Sequence, residues 1–110
     1  MAPLVEAAQG RLAFISSDMG RMTGVPSSYS WTYRVSKAAL NMAVASARHS
    51  YPQAILVALS PGWVQTDMGG SGAPLSVLSS VAAMRDTLAR LTPADSGRFF
   101  DIDGQPMVGW

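Results

Sequence analysis

The run "RLAFIS" at residues 11–16 is apolar at every position between Arg11 and Ser16. That is the pattern of a strand covered on both faces rather than one with a wet side. Two further runs, "AILVALS" (54–60) and "RFFDI" (98–102), are equally rich in residues that favour strands. Between the first two, "SYSWTYRVSKAALNMAVASARHS" sets Val35, Ala38, Ala39, Met42, Ala43 and Ala45 or Ala47 at spacings that build an apolar helical face, ending near Pro52. Between the second and third, "SVLSSVAAMRDTLARL" offers Ser76 as an N-cap and stops before Thr92-Pro93, where the restricted residue before proline ends a helix. Strand, helix, strand, helix, strand predicts an α/β fold with a parallel, doubly wound sheet of about three strands and two long helices. Two helices cover both faces of three strands poorly, so the sheet reads as part of a larger one.

The composition narrows the partners. Of 110 residues, 14% are charged against the roughly 25% of an ordinary soluble domain. A surface this poor in charge is expected to be covered by something. The net charge of +1 comes with no basic run able to hold a phosphate backbone, which argues against nucleic acid. With no cysteine and only His49 among the histidines, neither a disulfide framework nor a metal cluster is expected. No window reaches the length of a membrane span and "MAPLVEAAQG" has no signal-peptide pattern, so a cytoplasmic setting is expected. The segment "GGSGAP", Gly69 to Pro74, reads as a mobile loop.

Chemistry concentrates at three places. Tyr33 and Lys37 stand four apart on the first helix, hence on one face, and Lys37 is the only lysine in the chain. A free phenol has a pKa of about 10, and a neighbouring ammonium favours the phenolate, moving such a group toward the range useful for acid-base work. "FISSDMG" and "LSPGWVQTDM" each begin where a predicted strand ends, the edge at which open parallel sheets bind ligands. Ser16 or Ser17, Tyr33 and the Pro61 to Met68 turn would all gather there. His49, late in the first helix, is assigned to the helix dipole, Asp67 to the cap of a short helix at Met68, and Trp63 to packing or a pocket wall.

Together, "GRLAFISSDMG" (10–20), "YRVSKAALNM" (33–42) and "ALSPGWVQTDMGG" (58–70) resemble the short-chain dehydrogenase/reductase family. The loop "GGSGAPLSV" and the tail "SGRFFDIDGQPMVGW" look most like its sniffer-type carbonyl reductases and the bacterial C-factor group. The resemblance implies a partial Rossmann-like fold and hydride exchange between NAD or NADP and a small carbonyl or alcohol substrate. It implies Ser17 as hydrogen-bond donor to the substrate oxygen, Tyr33 as acid or base, and Lys37 as the group that activates Tyr33 and holds the nicotinamide ribose. Pro61, Gly62, Val64 and Thr66 match the turn that lies against the nicotinamide, so the implied cofactor contacts are Tyr33, Lys37, Pro61, Gly62, Val64 and Thr66.

The glycine-rich turn that opens the family's dinucleotide site is missing from these 110 residues, as is its "NNAG" segment. Residues 1–110 are therefore expected to correspond to the carboxy-terminal portion of the family's domain, with "APLVEAA" as the end of a preceding helix. A non-catalytic packing or dimerisation module is the alternative, since family members often dimerise through the helix that carries the tyrosine and lysine.

Overall fold

The computed structural model describes residues 1–110 as one three-stranded parallel sheet in the order β1-β2-β3, with β1 at Arg11–Ile15, β2 at Ile55–Leu59 and β3 at Phe99–Phe100. Helix α1 (Ala2–Ala7) precedes β1, α2 (Trp31–Ala47) connects β1 to β2, and α3 (Val77–Arg90) connects β2 to β3. The expected α/β class and element order are met. No helix is long and apolar enough to cross a membrane.

Because alternate side chains of a strand point to opposite faces, β2 feeds two cores. Leu56 and Ala58 pack with Phe99, Val44 and Ala47 of α2 on one face; Ile55, Val57 and Leu59 pack with Phe100, Leu91, and Met84 and Leu88 of α3 on the other. The sheet is thus wound on both sides. Every residue of β2 is buried, as expected of a strand flanked on both edges.

Three expectations need correction. Strand β1 is covered on both faces only in part: Leu12 and Phe14 meet one core and Ala13 the other, but all three are only partly buried, and Ile15 is 49% exposed. The physical reason is its position at the edge, where two helices cannot reach over it. The apolar face read for α2 is also rotated. Asn41 and Val44 are its buried residues, whereas Val35 and Met42 are exposed. The helix carries two apolar stripes, and spacing alone does not say which one meets the sheet. Finally, α2 is shorter than its pattern. It begins after Ser30, which sits at φ 53, and it ends at Ala47, so His49 lies in the following turn rather than in the helix.

Helix α3 follows its sequence signals closely. The Ser76 hydroxyl accepts from the Ser79 N–H at 3.1 Å, and α3 stops at Arg90, before Thr92-Pro93. Strand β3 is short because the chain turns at once: the Asp101 carboxylate accepts from the N–H groups of Asp103 and Gln105, both at 2.9 Å.

Phe99 joins β3 to the rest of the molecule. It is fully buried and meets Trp110 edge-on, with ring centroids 5.8 Å apart. Phe99→Ala is expected to cost about 3–5 kcal/mol, a large share of the roughly 5–15 kcal/mol available to a domain. Urea unfolding followed by circular dichroism should show the midpoint collapse, with near-ultraviolet signal from Trp110 lost first.

Candidate active site

Residue Ile15 is paired with Leu59, and Leu59 with Phe100, so all three strands end at one edge of the sheet. The segments that leave them, Ser16 onward and Ser60 onward, emerge side by side. Helix α2 delivers its first turns to the same edge, as two contacts show. Lys37 Nζ donates to the Ile15 carbonyl at 3.1 Å, and the Ser16 hydroxyl donates to Asn41 Oδ1 at 2.6 Å.

Lys37 and Tyr33 do share a face. The Lys37 amine lies 5.7 Å from the centroid of the Tyr33 ring, within the range of a cation–π contact. The ammonium thus sits between the phenol ring and the end of β1. The Tyr33 hydroxyl makes no hydrogen bond within the chain, and its ring is partly buried.

Ser17 reaches this edge but is locally engaged. Its hydroxyl caps the short 3-10 turn Asp18–Gly20, accepting from the Met19 N–H at 3.1 Å, and lies 3.3 Å from the Asp18 carboxylate. No hydrogen bond joins Ser17 to Tyr33 or Lys37. Its neighbour Ser16 points inward and is buried. The serine pair is therefore divided, one inside the fold and one on the open side.

The turn after β2 forms a small platform beside them. Gly62 has φ +78, a conformation that favours glycine, and the Pro61 carbonyl accepts from the buried Ser80 hydroxyl at 2.8 Å, which ties the turn to α3. Val64 bridges to Leu75 through its flanking residues: the Gln65 N–H donates to the Leu75 carbonyl at 2.8 Å and the Leu75 N–H to the Trp63 carbonyl at 3.2 Å. This leaves the Val64 N–H with no acceptor in the chain. The Thr66 hydroxyl accepts from the Gly69 N–H at 3.1 Å and keeps its own proton for another acceptor.

That platform corrects two further expectations. The glycine-rich loop is anchored at both ends rather than free throughout: Trp63 Nε1 donates to the Gly69 carbonyl at 2.8 Å, Gln65 Nε2 to the Ala73 carbonyl at 2.9 Å, and Ala73 is buried, while Gly70 to Gly72 between them are exposed. Thr66, not Asp67, caps the turn, and Met68 starts no helix. Trp63 is exposed and serves this loop through its indole N–H.

Two participants escaped the sequence reading. Gln65 is a tertiary tie with no local signature. Asn41 left a faint one: an asparagine in a helix interior, four residues after Lys37, is unfavourable by propensity and needs a reason.

No family model matches the chain. Its likeness, in sequence and in fold, is nevertheless to the short-chain dehydrogenases/reductases. Among curated proteins, C-signal of Myxococcus xanthus is 45% identical over 103 residues, which cover 92% of this chain and 62% of that protein. Among solved structures, the carbonyl reductase Sniffer of D. melanogaster superposes with a TM-score of 0.90 at 37% identity, over 98% of this chain and 49% of that one. The NADPH-bound carbonyl reductase from chicken fatty liver gives 0.85 at 32%, over 100% and 48%. The chain spans about half the length of the relatives it matches.

Close packing at this edge is testable. A Cβ on Gly20 would stand 2.9 Å from both the Cβ and the carbonyl carbon of Lys37 and 3.0 Å from Asn41 Nδ2. Gly20→Ala must therefore push the turn off α2, at a cost of about 1–3 kcal/mol typical of overpacking. Denaturant titration should find that loss, and an unchanged midpoint would mean that the turn and the helix are not in contact.

Proposed function

We propose that residues 1–110 form the proton-transfer and nicotinamide-facing portion of an NAD(P)-dependent oxidoreductase, corresponding to the carboxy-terminal part of a short-chain dehydrogenase/reductase domain. Its substrate is a small carbonyl or alcohol compound in the cytosol. The observation that carries the reading is the Lys37 amine, held between the Tyr33 ring and the carboxyl end of β1, at the edge where the Ser17 and Pro61 to Thr66 segments converge.

The residues fit a nicotinamide cofactor. A carboxamide needs both a donor and an acceptor partner, and the platform offers an unspent N–H at Val64 and a hydroxyl at Thr66 whose proton is uncommitted. Pro61 and Gly62 set the path of that platform. Lys37 has three donors and spends one on Ile15, which leaves others for ribose hydroxyls. The cofactor, when bound, supplies or accepts the hydride; the chain supplies orientation and the proton.

In the reducing direction, hydride arrives at the carbonyl carbon, the C=O π bond breaks, and its electron pair remains on oxygen. Tyr33 then gives its hydroxyl proton to that oxygen, completing the alcohol. A cation beside a phenol stabilises the charge left as the proton departs, which is the service Lys37 performs. Ser17 steadies the developing charge by donating its hydroxyl proton to the same oxygen. To do so it turns from Asp18, a rotation of one side-chain torsion. Oxidation runs the same steps backward.

A second reading has an observation of its own. Trp31, Val35 and Met42 form an exposed apolar stripe along α2, 58–67% exposed, which suits packing against another helix, including that of a second copy. A chain serving only as a packing module would use this stripe and have no need of Tyr33.

Substituting Tyr33→Phe separates the two. The oxidoreductase reading expects consumption of NADPH with aldehyde or ketone substrates to fall about 100- to 10,000-fold, with cofactor affinity by nicotinamide fluorescence nearly unchanged. Turnover retained in the variant would remove Tyr33 from proton transfer. Parent protein without turnover, in which Met42→Asp abolishes self-association in sedimentation velocity, would favour the packing module.

A further inference from the structure

We propose that the buried hydrogen bond between Ser16 and Asn41 is a positioning device for the candidate active site. It joins the strand end that carries Ser17 to the helix face that carries Tyr33 and Lys37. The inference rests on the oxidoreductase reading for its catalytic consequence, but not for its test.

Ser16 is 3% exposed and Asn41 1% exposed. Theirs is the one side chain-to-side chain hydrogen bond in the molecule that links residues more than three apart in sequence. Stability alone does not account for it. Asparagine is poor in a helix interior, burial of an amide is costly, and the Asn41 Nδ2 is buried with no partner. An apolar pair of the same shape would be about as stable, or more so, because nothing would be left unsatisfied.

Location supplies the reason. Ser16 adjoins Ser17, and Asn41 lies one helical turn beyond Lys37 and two beyond Tyr33. The 16–20 segment is pressed onto the same stripe of α2, since Gly20 leaves no room for a side chain against Lys37 and the Asn41 amide. An apolar contact tolerates sliding, whereas a hydrogen bond of 2.6 Å has a preferred length and direction. The Ser16–Asn41 bond therefore sets the height of α2 along β1. Through it, the Lys37 amine meets the Ile15 carbonyl while Ser17 stays on the open side.

Because Lys37 is the only lysine, its amine is a single reporter of that alignment. An amine donating to a carbonyl reacts slowly with acetic anhydride, and the Met1 α-amine in the same molecule provides an internal reference. The double variant Ser16→Ala/Asn41→Leu removes the hydrogen bond and the orphaned amide together. Its unfolding midpoint should match or exceed the parent's, yet the Lys37 to Met1 acetylation ratio, read by mass spectrometry, should rise about three- to tenfold. Ser16→Ala alone should raise the ratio as well, and Ser16→Thr, which keeps the hydroxyl, should restore it toward the parent value. If the double variant does not fold, the Ser16→Ala and Ser16→Thr pair decides the matter. A ratio unchanged from the parent in folded variants overturns the proposal. In protein that turns over, kcat should fall with the rising ratio while KM moves little. Protein that never turns over removes the oxidoreductase reading and leaves the acetylation result standing by itself.

Discussion

The in-register parallel pairing of β1 with β2 is the constraint from which the rest follows. Five consecutive residue pairs, from Arg11 with Ile55 to Ile15 with Leu59, bring both strands to their carboxyl ends together. Two loops far apart in sequence are thereby released at one edge. A register slip would turn the Ile55, Val57, Leu59 set toward α2 and the Leu56, Ala58 set toward α3, exchanging the two cores. Burial of the whole of β2 opposes that exchange and so fixes where Ser17 and the Pro61 turn emerge.

On this frame, α2 performs two tasks that compete for its surface. One stripe must bury Val44 and Ala47 against the sheet. The same stripe must also carry Lys37 and Asn41, polar groups that find their partners in Ile15 and Ser16. Small and polar residues consequently occupy positions where a packing helix would carry Leu or Ile, and larger apolar residues such as Val35 and Met42 are displaced to the outside. The exposed apolar stripe is the counterpart of the polar inward one.

This division explains what was legible in the sequence. The three strands, the α3 cap at Ser76 and the grouping of Ser17, Tyr33 and the Pro61 turn at one edge could be read locally, because strand propensity, capping and the four-residue helical interval are local properties. The orientation of α2 could not, since its amphipathic pattern contains two apolar stripes and the inward one is marked by polar residues. The partial exposure of β1 follows from having one partner strand rather than two; no property of "RLAFIS" itself encodes that, but the missing glycine-rich part of the family's domain does imply an unpaired edge there. Likewise the Gly69 to Pro74 segment looks unconstrained by composition, yet the indole of Trp63 and the amide of Gln65 hold it. Those ties exist only once β2 has brought the turn into place.

The contact between Lys37 and Ile15 has one more consequence. Gly10 and Ser16 bond toward β2, so the intervening alternation turns the backbone of Arg11, Ala13 and Ile15 to the opposite, unpaired side of the sheet. The carbonyl that Lys37 occupies is accordingly one that an incoming strand would claim. An added strand at β1 and the lone lysine would thus converge on one oxygen atom, whose two lone pairs allow both to be received, so extension of the sheet at this edge would alter the surroundings of the amine directly.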